Sequence, residues 1–337
     1  MHSPKVSIVI PIFNPGKYFI QCLESVVNQT LKDIEIVCID DGSTDDSMDI
    51  LSKYSNDSRF KIFHQKNLGA GSARNKGIDN AQGEYIVFLD SDDWIENDMC
   101  EKLYNHAKYL DVDLVLFDVI WYHKNNKKEL FKYFNDVEFN QDYNSFVFNR
   151  SLIPEKIVDP SLGVIWSKFY KTSFLKNNNI KFSTYKIYND VVFHFKTILS
   201  ANTIAYYPEV FYHYIKVGQP SLQTSYRWGK YESTWFNVML EVREFLLENN
   251  LMDEFKMIFI NYSFVSFERK LRGTDERYKA EFFDKIKYFY ESFDLSIEEF
   301  KSLILPYQTY YAHVLCSNNY DEFNKMNSVF DGKNIST

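Results

Sequence analysis

Glycine and proline are scarce in this 337-residue chain, at 11 and 8, too few for flexible linkers or low-complexity repeats. Basic residues are outnumbered: 38 Lys and Arg against 46 Asp and Glu leave a formal charge of −8. That balance argues against a nucleic-acid binder, which carries a basic footprint. The four cysteines, Cys22, Cys38, Cys100 and Cys316, show no CxxC and no Cys/His metal spacing. They read as reduced, mostly buried thiols, and the expected location is the cytoplasm. Residues Met1–Val6 lack the apolar stretch of a signal peptide. No run of about 18 apolar residues exists to span a bilayer. Peripheral contact with the inner membrane face and homodimerisation both stay compatible with the sequence.

What is present is globular: 45% hydrophobic and 25% charged residues. Aromatics reach 18%, with 30 Phe and 25 Tyr. Compositional bias explains that excess more simply than sugar-stacking surfaces do.

The first third alternates short apolar runs with amphipathic ones. Val6–Ile12, Ile34–Asp40, Phe60–His64, Tyr85–Asp90 and Leu114–Trp121 read as strands. Lys17–Gln29, Ser43–Tyr54, Gly71–Asn80 and Asn97–Leu110 read as helices, the second with Ser43 and Asp46 in capping-box spacing. This alternation predicts an α/β fold on a mostly parallel sheet. Further on, Lys124–Lys128 reads as a polar loop and Asn135–Val158 as irregular. Gly163–Leu175 and Asp190–Leu199 read as helical, and Thr203–Tyr214 as strand-like around Pro208. From a boundary near Tyr226 the pattern turns helical: Glu232–Asn249, Asp253–Leu271, Arg277–Phe293 and Ile297–Leu305. The expected domains are therefore 1–226, divided into 1–121 and 122–226, and a helical extension, 227–337.

Ligands of such sheets bind beyond the carboxyl ends of the strands. Pro11, Phe13 and Asn14 follow the first strand, and Asp40-Asp41-Gly42-Ser43 closes the second. Lys66-Asn67-Leu68-Gly69 follows the third, with Arg74 and Asn75 on the next helix. Asp90-Ser91-Asp92-Asp93 closes the fourth. Crowded carboxylates repel one another unless a cation neutralises them, and a hard divalent metal holding a diphosphate would do so. An acidic turn capping the next helix is the plain alternative for Asp90–Asp93, and N-capping is that for Asp40–Ser43. A nicotinamide-dinucleotide fold needs G-x-G-x-x-G after the first strand. The turn there is Pro11-Ile12-Phe13-Asn14-Pro15-Gly16, without the glycines. Gly69-Ala70-Gly71 instead suggests a close turn and a helix N-terminus facing phosphate.

VSIVIPIFN, IVCIDDGSTDDS, NLGAGSARNKGI and GEYIVFLDSDDW resemble, in order and approximate spacing, the motifs of family-2 glycosyltransferases. The resemblance is dense over Lys5–Leu116. It continues more loosely over Gly163–Ser221 (IWSKFYKTSFLKNNNIKF, YNDVVFHFKTIL, VFYHYIKVGQPS), which looks like bacterial polysaccharide-type members. It implies a glycosyltransferase A-type fold, a Rossmann-like sheet that binds a nucleotide-sugar, and inverting transfer from a UDP-sugar donor to a glycan or lipid-linked glycan acceptor in surface or capsular polysaccharide synthesis.

By position, the resemblance places Pro11, Phe13 and Asp41 around the base, with Asp41 accepting from the uracil imide. It puts Asn67 and Arg74 near the base and diphosphate, Asp90 at the ribose, and Ser91 among the donor-binding residues. Asp92 would ligate Mn²⁺ or Mg²⁺, Asp190 would be the general base, and Lys216 and Ser221 would close over the diphosphate. Three positions depart from the family pattern. Phe13 stands where Tyr is common, Asn189 where Glu commonly precedes the aspartate, and Lys216 where Arg is frequent and would grip bidentately. The remaining expectations are structural. His213 reads as a packed residue rather than a metal ligand, Trp166 and Lys168 as packing, and the aromatic stripes beyond Tyr226 as helix core. The helical extension is expected to pack on the transferase domain. A sugar-phosphate nucleotidyltransferase and a non-catalytic nucleotide-sugar-binding protein are the two rival functions. The first would want a Gly-rich basic loop after the first strand, and the second would tolerate loss of Asp92 or Asp190.

Overall fold

A computed structural model describes residues 3–123, 127–134, 142–152, 165–215 and 232–328. The chain divides into two compact units, Met1–Gln219 and Pro220–Thr337.

The first unit is built on one ten-stranded sheet. Its strands are β1 (Val6–Ile12), β2 (Ile34–Asp40), β3 (Phe60–His64), β4 (Tyr85–Phe88), β5 (Trp94–Ile95), β6 (Leu114–Tyr122), β7 (Lys128–Phe131), β8 (Val147–Phe148), β9 (Lys168–Lys171) and β10 (Ile204–Ile215). Their order is β3-β2-β1-β4-β9-β6-β10-β5, with β7 beside β6 and β8 beside β10. Every residue of β1 and β2 is buried, Ser7, Glu35 and Asp40 included, as strands covered on both faces require. The β3-β2-β1-β4 half is wholly parallel. At β1 the strand order turns back, β2 on one side and β4 on the other. That reversal opens a crevice at the strands' carboxyl ends.

The second half of the sheet is mixed. β9 lies antiparallel between β4 and β6, and β5 is antiparallel to β10. β9 corrects the helical reading of Gly163–Leu175, of which residues 163–164 lie outside the described residues. Lys168–Lys171 is a strand, and only Thr172–Asn177 (α5) is helical. Helical spacing and a buried strand are indistinguishable over so short an apolar run. Thr203–Tyr214 resolves into one twelve-residue strand whose register against β6 slips between Tyr207 and Val210, around Pro208. A proline there removes one ladder donor, and the irregularity absorbs it.

The helices of this unit are α1 (Phe19–Val27), α2 (Ser47–Ser52), α3 (Ala70–Asn80), α4 (Met99–Leu110), α5 and α6 (Asn189–Ser200). The Ser43/Asp46 capping box does not form. α2 starts later, and Asp45 Oδ1 accepts from the Ser47 amide at 3.1 Å instead. Close approach of α3 to the sheet depends on Gly77: a Cβ there would stand 2.2 Å from Val9 Cγ1.

His106 on α4 is 7% exposed, its ring 5.0 Å from Tyr207, and its Nε2 is buried without a partner. Burial pushes the imidazole from 6.5 down to about 4. The unfolded chain therefore takes up a proton that the folded chain refuses. Stability should fall as the pH drops from about 6.5 towards 4, by up to roughly 3 kcal/mol. Urea unfolding across that window should show the loss in the wild type and lack this component in His106→Phe.

The second unit contains α7 (Glu232–Glu248), α8 (Met252–Gly273), α9 (Glu276–Glu291), α10 (Ile297–Ser302), α11 (Leu305–Cys316) and α12 (Tyr320–Ser328). Its aromatic stripes are core. Phe259, Phe264, Phe267, Phe282 and Phe283 are at most 3% exposed. Trp228 lies outside the described residues. The helix expected over Ile297–Leu305 ends early, because Leu303 is extended and Pro306 opens a new helix at its first turn.

Candidate active site

Two groups of the singled-out residues gather at the carboxyl edge of the parallel strands. The first lies beyond β1, β2 and β3. Parallel pairing of Ile12 with Asp40 and a bond from the Asp41 amide to the Ile12 carbonyl (2.8 Å) set Pro11 and Phe13 beside Asp41. Pro11 is buried, whereas Phe13 is 40% exposed, an aromatic face open to solvent at the strand end. Gly42, with φ +81°, turns the chain so tightly that an added Cβ would meet the Asn67 amide at 3.2 Å. Asn67 itself is exposed.

Asp41 is 3% exposed and does not cap α2. Its Oδ1 accepts from the Leu68 amide and Gln65 Nε2, and its Oδ2 from the Gly69 amide, all at 2.8 Å. The carboxylate thus holds the loop that leads into α3, and the Leu68 and Gly69 amides are satisfied by protein. Asp41→Ala removes three hydrogen bonds to part-buried donors and frees the loop they hold, which costs about 1–3 kcal/mol. A lowered melting temperature in thermal unfolding is the expected readout, with Asp41→Asn intermediate.

The second group lies beyond β4. Arg74, on α3 and 7% exposed, donates from Nη2 to Asp90 Oδ1 (2.6 Å) and from Nη1 to Asn189 Oδ1 (3.1 Å). Its Nε is buried without a partner. Burial works against the Arg74 charge, but Asp90 and Asp190 outweigh it and raise the guanidinium further. Ser91 is buried. Asp93 is 1% exposed and fully engaged, accepting from Tyr212 Oη (2.7 Å) and the Ile215 amide (2.8 Å). It ties the acidic turn to β10. β5 follows directly, so the turn does not cap α4.

Asp92 makes no hydrogen bond or ion pair with any other described residue, accepting only from its own backbone amide, and its side chain is exposed. Crowding by protein, then the Asp90 charge, push its carboxyl up to about 6. Exposure to water screens part of the first cause, so repulsion from Asp90 is the one the geometry supports best. A single free carboxylate among like charges suits a hard cation that also keeps waters and substrate oxygens. Among the described residues no three His, Cys, Asp or Glu side chains assemble a ready-made cage.

Asp190 sits half-buried in the first turn of α6. Burial raises its carboxyl above the ordinary range, against Arg74 and the helix amides, which lower it. Lys168, read from the sequence as packing, is wholly buried on β9. Burial drives its ammonium well below the usual lysine range, and Asp190 is the charge that opposes this. His213 has both ring nitrogens engaged, Nε2 with Glu96 Oε1 (2.7 Å) and Nδ1 with Tyr122 Oη (3.0 Å), and stacks on Trp94. Its packed reading holds. Lys216 and Ser221 lie outside the described residues.

The family model "Glycosyl transferase family 2" matches residues 7–172. The putative glycosyltransferase EpsH of Bacillus subtilis is 33% identical over 261 residues, 76% of this chain and 73% of that protein. The chain belongs to glycosyltransferase family 2. The cholesterol galactosyltransferase of Borreliella burgdorferi is a further relative of this glycosyltransferase, 32% identical over 279 residues, 80% of this chain and 76% of that one. Residues 1–349 of S. aureus TarS, crystallised with UDP-GlcNAc, share the fold of this transferase. The TM-score is 0.78 at 20% identity, covering 97% of this chain and 91% of that one. The glycosyltransferase A-type architecture expected from the sequence is thereby established.

Asn75, Asn189 and Asp93 could be placed from the sequence but their partners could not, and Tyr212 carried no site signal. The partners of Asn75 and Asn189 lie more than 100 residues away in sequence.

Proposed function

We propose that this glycosyltransferase moves a hexose or N-acetylhexosamine from a UDP-sugar to a glycan or lipid-linked glycan acceptor, with inversion, in surface or capsular polysaccharide synthesis. The observation that carries the reading is the acidic crevice at the switch point of a fold that in S. aureus TarS holds UDP-GlcNAc. The polysaccharide setting rests on the likeness of Gly163–Ser221 to bacterial polysaccharide-type members. Net charge of −8 speaks against a nucleic-acid partner. No helix of the described residues is long and apolar enough to cross a membrane.

In this reading Pro11 and Phe13 flank the uracil, Asp41 accepts from its imide, and Asn67 lies nearby. Arg74, Lys216 and Ser221 serve the diphosphate, Asp90 the ribose, and Ser91 is a further donor-binding residue. Asp190 takes the proton from the acceptor hydroxyl. That oxygen attacks the anomeric carbon from the face opposite the diphosphate. A carbon–oxygen bond forms, the bond to the diphosphate breaks, and its electron pair leaves with UDP. Asp92 would hold Mn²⁺ or Mg²⁺, which neutralises charge growing on the leaving diphosphate.

A donor screen with UDP-Glc, UDP-Gal, UDP-GlcNAc and UDP-GalNAc, read by UDP release and by the anomeric configuration of the product, tests the proposal. Release with none of the four, or retention of configuration, contradicts it.

A further inference from the structure

The segment between α5 and α6 has no regular secondary structure over residues 181–188, yet it delivers Asp190. Its backbone polar groups need partners from elsewhere, and α3 supplies those of Phe182. Asn75 makes a two-way bond with Phe182: Nδ2 donates to the Phe182 carbonyl (2.9 Å), and the Phe182 amide donates to Oδ1 (2.8 Å). The Arg74 guanidinium lies 5.5 Å from the Phe182 ring centroid while it binds Asn189. Asp79 pairs with Lys181. One helical turn earlier, Gly71 has no room for a side chain: a Cβ would stand 2.3 Å from the Ser183 carbonyl oxygen and 3.0 Å from Asn189 Cβ. Gly71, Arg74, Asn75 and Asp79 recur at three- and four-residue intervals, so they form one face of α3.

That face is turned to a chain held under strain. Tyr188, immediately before α6, has φ +62°. A non-glycine residue keeps such a conformation only where its surroundings over-determine it. Two residues on stands Asp190. The guanidinium that grips Asn189 at one nitrogen grips Asp90 at another. The donor edge and the helix carrying Asp190 therefore share one rigid cross-link.

We infer that Arg74 and Asn75 are positioning residues: they clamp residues 182–190 onto α3 and so fix Asp190 relative to the donor-binding edge. The GAGSARN stretch then serves as a seat for the acceptor-side segment, beyond any contact it makes with the nucleotide. The inference rests on the reading of Asp190 as the base.

Asn75 tests it, because it stands outside the proposed donor contacts. Displacing a catalytic group by about 1 Å can lower rate by ~10²-fold. Asn75→Ala in the full chain should lower kcat by roughly 10- to 100-fold, with calorimetric UDP affinity and the KM for donor within about threefold of wild type. Combined with Asp190→Asn, the same substitution should add little further loss, because the group it positions is already gone. Asn75→Asp keeps the shape and the acceptor for the Phe182 amide, so it should recover part of the rate. It also supplies the measurement if Asn75→Ala does not fold. Wild-type kcat in both variants overturns the inference. So does a fall in UDP affinity with kcat retained, or a loss that multiplies in full with Asp190→Asn. The two readings fail separately. Normal transfer by Asp190→Asn removes the base assignment, whereas a dead Asp190→Asn beside a normal Asn75→Ala removes only the clamp.

Discussion

Asp190→Asn should reduce sugar transfer by about 10²- to 10⁴-fold, the span expected when a general base is lost. The fold should survive. Asn keeps the shape of Asp, and Arg74 keeps its bonds to Asp90 and Asn189. Stability should be unchanged or slightly higher, and linkage gives the sign. Burial raises the carboxyl in the folded state, so the folded chain holds the Asp190 proton more tightly than the unfolded chain does. At pH values above both pKa values the ionised form therefore disfavours folding, and a neutral Asn relieves that. UDP affinity measured by calorimetry should stay close to wild type. In the wild type, kcat should rise with pH as the carboxyl ionises, with the limb lying above the usual carboxylate range. The variant's residual rate should lack that limb. Near-normal transfer would show that another group takes the proton, and joint loss of UDP affinity and melting temperature would reassign Asp190 to a structural role.

The parallel half of the sheet was legible because β1, β2 and β4 are short, mostly apolar and β-branched runs closed by Asp or Asn turns. Each run is buried along its length, so the pattern has no competing explanation. The antiparallel half was not. β9 is only four residues long and opens on Lys168, and over so short a run a helix and a buried strand look alike. Only the pairing of Tyr170 and Lys171 with β4 and of Lys168–Tyr170 with β6 makes that segment a strand. β5 is two residues long and exists through pairing with β10, more than 100 residues away in sequence. Candidate site residues showed the same division. Carboxylates at strand ends could be picked from sequence because topology predicts where strand ends point. What each carboxylate does could not. Asp93 and Asp92 are neighbours of identical chemistry, yet Asp93 is filled by Tyr212 and Ile215 and Asp92 is left open. Asp41 likewise turned out to hold a loop, a role invisible without its three partners.

That difference between neighbours yields the second large effect. Exhaustive chelation should abolish transfer, and added Mn²⁺ or Mg²⁺ should restore it. Asp92→Ala should lose about 10²- to 10³-fold or more, the scale of removing one stabiliser of transition-state charge, and added metal should not rescue it. The exposed Asp92 carboxylate bonds only its own backbone amide among the described residues, so its removal strands no other residue and the melting temperature should hold. Removing one of three crowded negative charges should even favour the folded state. Asp93→Asn makes the contrast. One of its two oxygens becomes an amide that cannot accept from Tyr212 or Ile215, so that variant should lose stability. Calorimetry separates metal from mere folding. Wild-type UDP affinity should strengthen when Mn²⁺ is added, and in Asp92→Ala that increment should vanish while metal-free affinity stays level. Undiminished turnover after complete chelation would exclude a metal from this crevice and leave the diphosphate charge to Arg74 and the late segment that carries Lys216.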